Sequence, residues 1–447
     1  MKEKIKLIVF LLLFTSAFTF LSSCSTPTDP KLLPTLTLTV NGVNSTEVFI
    51  KLSTNNVTLP ASVTLSRNNK QINSFTLITA DTTIVDEGLN PNQSYTYLAT
   101  IQSSNHTAVK SEAVIATTMD TTSHNFTWQT FTFGGQGGSS TLYDVAIINE
   151  NDIWAVGEIY MNDSTGKADP EPYSLAKWDG TQWKLEKLYY KNSSEDKLIL
   201  SAIRGILYLS ASDIWFAAGS IFHWDGKTDL AQLSYSRLNL PDPNATIEKL
   251  WGNSSSVIYG VGDAGTIVSY LNGQWSKIES ETDLRFFDIY GADNSETGKQ
   301  QILTVASNGF TKKLLEIQGS SVTMLSDNGL ANDMEGIWFV PNKKYYVAGA
   351  GIHYKHLLTD EEWNHYPPGI VTSYLSGGVR GSDINNVFVT GSFFEIVHFN
   401  GVSWHNYSDV IPFNNDGAVG RLDVNGKLFI TVGRSGQYAV AIMGKQN

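Results

Sequence analysis

The chain has 447 residues, of which 41% are hydrophobic and 17% charged, with a net charge of −12. That length and apolar content exclude a disordered chain and leave room for more than one core. The acidic balance excludes the polybasic surfaces that nucleic acids and anionic lipids require, so no nucleic-acid partner is expected, and mutual repulsion favours a monomer.

Residues 1–23 read as an export signal. A basic stretch, MKEKIK, precedes the apolar run LIVFLLLFTSAFTF, which is short for a spanning helix. LSSC follows, Leu21 to Cys24, and holds the chain's single cysteine. This stretch resembles the bacterial lipobox. The resemblance implies cleavage before Cys24, acylation of its thiol, attachment to the membrane through the N-terminal lipid, and a place in the bacterial cell envelope, periplasmic or surface-exposed. A lone cysteine forms no internal disulfide, so the folded parts rely on core burial. Residues 24–33, rich in Ser, Thr and Pro, read as a tether.

Residues 34–118 contain seven short β-rich runs, from TLTLTV to EAVIATT, a density that predicts a β-sandwich. LNPNQSY, Leu89 to Tyr95, resembles the L-x-P-x-x-x-Y corner of fibronectin type III domains. The resemblance implies a hydroxyl of Tyr95 bonded back to the backbone. The second strand reads VFIKL and lacks the tryptophan usual in that family. The expected role of this unit is that of a spacer.

All eleven tryptophans lie after residue 127, which places a second unit at 126–447 beyond a linker at 119–125. Seven strand-like runs there end in Gly or Ala: Gly157, Gly219, Gly262, Ala306, Gly349, Gly391 and Gly433. Their spacings are 62, 43, 44, 43, 42 and 42 residues, the length of a four-stranded propeller blade. The long first interval is ascribed to an insertion after Gly157, 158–174. Motifs such as KWDGTQW are read as a strand, an Asp-Gly or Asn-Gly type I′ hairpin turn, and a tryptophan (Trp183, Trp275, Trp404) filling the gap between blades. The last repeat has three strands, and the orphan run Phe126 to Gly134 is expected to complete it. The fold class expected is therefore all-β: a fibronectin type III-like β-sandwich followed by a seven-bladed β-propeller. The repeats, with DIWAVG and VGDAGTIVSY, resemble bacterial propellers of the photosystem assembly factor and Asp-box kinds, though the full Asp-box is absent.

Chemistry is harder to find. His223, His353 and His398 fall at about one position in three blades, which spreads them around a ring, and H-E-x-x-H is missing; no metal or cofactor is expected. The innermost strands carry Asp144, Asp288 and Glu335 at one level, with Lys249, and Arg204 and Arg380 two residues further on. These charges either pair between blades or form an acid–base site at the channel. The loops offer Tyr160, Phe222, Tyr354, Phe393 and Phe394 as contact aromatics. The expected function is non-catalytic binding or scaffolding of a glycan or envelope protein; the alternatives are an envelope enzyme acting on glycans and an adhesin.

Overall fold

The computed structural model describes residues 33–102, 108–135, 137–412 and 416–447. The expected signal segment, Cys24 and nearly all of the tether lie outside the described residues. Within them the chain is built of strands, with two short 3-10 turns, and no helix is long and apolar enough to cross a membrane.

Residues 35–117 form two sheets over one core. Thr35–Val43, Val48–Asn55 and Asp81–Asp86 make the smaller; Ala61–Arg67, Lys70–Leu77, Ser94–Gln102 and two short strands make the larger. Alternation sends Leu36, Leu38, Ile50, Leu52, Val63, Leu65, Tyr97 and Ile101 into that core. At the corner, Asn90 N–H donates to the Tyr95 hydroxyl at 2.9 Å, and Leu89 is buried.

Among the described residues, seven further sheets follow, each built on four antiparallel strands; in six of them these run in sequence order from the innermost outward, the second carries two more strands at its outer edge, and the seventh takes its outer strand from the start of the unit. Their innermost strands are Thr141–Asn149, Gly205–Ser210, Lys249–Ser254, Arg285–Asn294, Met334–Val340, Ser376–Asp383 and Gly417–Asn425. Each touches the next, and the first touches the last, so the sheets close into a ring around a central channel. Phe126–Gly134 pairs with Tyr438–Gln446 over nine residues and supplies the outer strand of the seventh sheet. Its aromatics lock that seam: Phe126 meets Phe388 edge-on at 5.4 Å and Trp128 meets Phe429 at 5.8 Å. Burying aromatics of this size contributes roughly 2–3 kcal/mol each.

The recurring Gly has a steric cause. A Cβ at Gly157, Gly262, Gly349 or Gly433 would lie about 2 Å from a carbonyl oxygen at the start of the neighbouring inner strand. The inner strands press this close because they carry a bulge there, with Tyr143, Phe287, Glu335, Gly377 and Gly420 as the extra residues.

Two local expectations need correction. Only Asn272-Gly273 has positive φ at both turn residues; Asp179 and Asn400 instead open four-residue loops, where each carboxylate or amide oxygen accepts two backbone N–H bonds. The long first interval is also not one insertion. Tyr189–Lys191 and Lys197–Ile199, lying between the first and second sheets, add two strands to the outer edge of the second.

Candidate functional site

Strand order divides the ring into two faces. The turn face carries the connections from first to second and third to fourth strand of each sheet. The loop face carries the connections from second to third strand and from sheet to sheet.

The sandwich sits on the turn face of the fourth to sixth sheets. Lys344 donates to Glu47 at 2.8 Å, and His356 Nε2 lies 2.9 Å from Glu47 and 3.2 Å from Glu87. Burial opposes ionisation of Glu47, but the His356 and Lys344 contacts outweigh it and hold the carboxyl down at about 2. Asp120 O accepts from Ser45 and from Asn385, both at 2.9 Å. Glu47, Glu87 and His356 are the ligand-bearing side chains that converge among the described residues. The Lys344 ammonium, 2.8 Å from both Glu47 and His356, already stands where an ion would be. In the linker, His124 Nδ1 is 2.9 Å from His398 Nδ1. His398 Nε2 donates to Asn386 Oδ1, so its Nδ1 accepts from His124.

Inside the channel the charges are tied together. Asp144, 1% exposed, accepts from Lys249 two sheets away and from Ile206 N–H on the next sheet. Asp288, fully buried, accepts two bonds from Arg380 at 2.7 and 2.8 Å and one from Ile337 N–H. Burial disfavours the Asp288 carboxylate, yet the Arg380 guanidinium more than offsets it and holds the carboxyl below its ordinary range. Asp423 repeats the pattern with Ile147 N–H, closing the seam between the seventh and first sheets. Arg421 donates to the carbonyls of Phe287, Glu335 and Gly377, three of the bulged residues.

The register corrects the expected levels. Asp144, Gly205, Lys249, Asp288, Gly336, Gly378 and Arg421 share one level; six of them pair with the residue just before the recurring Gly or Ala, and Gly205 pairs with Ala217, two before Gly219. Glu335 belongs one step nearer the loop face, because the bulge shifts the count by one, and Arg204 also precedes that level rather than following it. Arg204 stacks 4.1 Å over the Tyr143 ring and pairs with Glu248 at 3.8 Å; Arg285 bridges Glu248 and Asp263. Tyr143 and Tyr160 both donate to Glu158. Glu335 is half-buried at the channel mouth, and its carboxylate accepts no hydrogen bond and forms no ion pair among the described residues. Burial raises its pKa, with Arg421 and Arg285 opposing and Asp333 adding to the rise.

Of the expected contact aromatics, Tyr160 and Phe393 lie at the loop face. Phe222 and Phe394 are 4% and 2% exposed and belong to the cores between sheets, so neither is a surface contact. Tyr354 lies at the other end, in a cleft of about 320 Å³ between sandwich and ring, beside Lys344. His353 pairs opposite Val347, one register step away from the level of His223 and His398, so the three histidines share neither a site nor a level. Sequence reasoning missed Arg421, Asp423 and Asp333. GRLD of the last repeat could have been found by aligning the repeats back from the recurring Gly.

A closed ring of four-stranded sheets around a packed channel defines the chain as a β-propeller protein. Solved structures bear out that class. A structure titled "YCF48 bound to D1 peptide" aligns with TM-score 0.50 and 15% identity, covering 73% of this chain and 97% of that one. The WD40 β-propeller domain of Doa1 aligns with TM-score 0.50 and 12% identity, covering 72% and 97%. No protein-family model and no curated protein matches the chain.

Proposed function

We propose that this chain is a lipoprotein of the bacterial cell envelope, anchored by acylated Cys24, in which a fibronectin type III-like spacer (34–118) carries a seven-bladed propeller (126–447). The propeller binds a protein partner on its loop face, without catalysis, and acts as a monomer. One observation carries the reading. The sandwich covers part of the turn face, so the face turned away from the tether side is the one that displays Phe310, Ile370, Tyr374 and Phe393, between 41 and 85% exposed. Apolar side chains gathered on a loop face mark an interaction surface. The propeller in the YCF48 structure holds a peptide, which is the same kind of task. The glycan-enzyme alternative loses two of its three channel carboxylates, since Asp144 and Asp288 are committed to Lys249 and Arg380.

The test is photo-crosslinking in intact cells from a reactive residue placed at Phe393 or, on the turn face, at Ser320. Adducts with one protein from position 393 and none from 320 are expected; the reverse pattern sinks the reading. Metabolic labelling with a fatty-acid probe, lost on Cys24→Ala, tests the anchor.

A further inference from the structure

We infer that the loop face of the fourth to sixth sheets is a docking band for an extended peptide segment carrying a lysine or arginine between apolar side chains. The inference rests on the loop-face reading above and names the partner's chemistry.

The centre of the band is acidic and unmet. Asp333 and Glu335 lie two residues apart at the entry to the fifth inner strand, and neither side-chain carboxylate accepts a hydrogen bond or forms an ion pair among the described residues. The other charges around the mouth are engaged: Arg204 with Glu248, Arg285 with Glu248 and Asp263, and Glu158 with two tyrosines. Burial disfavours the Glu335 carboxylate and raises its pKa; Arg421 and Arg285 oppose the rise without pairing with it, and the neighbouring Asp333 adds to it. A cation from outside would relieve both costs at once.

Apolar groups flank this centre on both sides. On the fourth sheet, Phe310 is 85% exposed, next to Gly309, whose ideal Cβ would lie 3.2 Å from an Asp333 oxygen. On the sixth, Phe393 packs on Tyr374 with ring centroids 4.4 Å apart, and Leu375 follows. Two residues on, Gly377 forms the floor of the mouth; its ideal Cβ would lie 3.6 Å from a Glu335 oxygen. With Gly420 beside it, this floor has no side chains to block a backbone or a long basic side chain.

The aromatic end is held in place at a cost. Phe393 and Phe394 are consecutive residues at φ 57° and 60°, in the turn closed by Glu395 N–H on Ser392 O. Such a turn prefers Asn-Gly, and a bulky residue there is strained. The buried Glu395 carboxylate accepts from Ser373 N–H at 2.7 Å and Tyr374 N–H at 3.2 Å, fixing the loop against the turn. Strain kept at a turn that exposes Phe393 while burying Phe394, braced by a buried carboxylate, points to a preorganised recognition element.

The test pans a phage-displayed random dodecapeptide library on the full chain in detergent, then measures the enriched peptides by fluorescence anisotropy. The expected consensus has a Lys or Arg flanked by apolar residues. Glu335→Gln and replacement of that basic residue by glutamine should each weaken binding about tenfold, the loss of one charge-assisted bond, and their effects should not add. Asp333→Asn and Phe393→Ser should weaken it too, with melting temperatures confirming folded proteins. A consensus lacking a basic residue, or binding lost on Phe393→Ser but indifferent to Glu335→Gln and Asp333→Asn, overturns the inference while sparing the loop-face reading. Indifference to all three substitutions overturns both. Failure to enrich any peptide also overturns the inference, leaving crosslinking to judge the broader reading.

Discussion

Asp288 and Arg380 are joined by two hydrogen bonds, 2.7 and 2.8 Å long, although they stand on sheets two apart around the ring. The pair spans the channel past the fifth sheet, whose Ile337 N–H also bonds Asp288. Three innermost strands are thus tied by one buried carboxylate.

Removing that carboxylate should be costly. Asp288→Asn leaves the Arg380 guanidinium buried with its counter-charge gone, a loss of about 3–5 kcal/mol. Replacing both, as Asp288→Leu with Arg380→Met, should recover much of that loss because no charge is then stranded. Denaturant midpoints of the three proteins check this. A stable Asp288→Asn protein would reopen the acid–base reading of the channel.

The seam should be indispensable. Deleting 126–134 strips Tyr438–Gln446 of its nine-residue partner and uncovers Phe388 and Phe429, on which Phe126 and Trp128 pack. Soluble aggregates in light scattering, with no cooperative melt, are expected. A monomer with an unchanged melt would require another closure.

The hold between sandwich and ring should depend on Lys344. Lys344→Met leaves the buried Glu47 carboxylate without its lysine, held by His356 and the Asn44 amide alone. Faster proteolysis within 119–125 is expected, with the melt of the ring little changed. Equal cleavage rates for wild type and variant would show that the clasp does not fix the linker.

Acid should loosen the linker as well. Burial, aided by His124 and His405, pushes His398 down to about 3, and burial lowers His124 below its ordinary range. The unfolded chain takes these protons near pH ~6.5. The stabilisation is therefore complete above that pH and is lost progressively as the pH falls toward the folded value of His398. His398→Gln should flatten the decline between about pH 6 and pH 4 in a series of thermal melts; an identical slope would count against the assignment.

Much of the fold was legible because repeats advertise themselves. The recurring Gly marks, in five of the six repeats that carry it, a place where an inner-strand carbonyl leaves no room for a Cβ, so the same residue returns. Strand alternation likewise exposed the core of the sandwich, and the unpaired run Phe126 to Gly134 declared the seam. Levels within the channel were not legible. A bulged residue at the head of the inner strand shifts the count by one, which put Glu335 off the level of Asp288, and Arg204 stands one step before that level instead of two beyond it.

By itself, then, the sequence determined the strand periods, the number of repeats and the residue types available at the channel, because these follow from local sterics and polarity. Only the tertiary structure decided which charges neutralise one another. Asp288 meets Arg380 across 92 positions of chain and Asp144 meets Lys249 across 105, pairings created by ring closure. It also decided that Phe394 turns into the core while Phe393 turns out. Both follow from a strained turn whose register is set by the buried Glu395, and no local preference of two adjacent phenylalanines would choose between them.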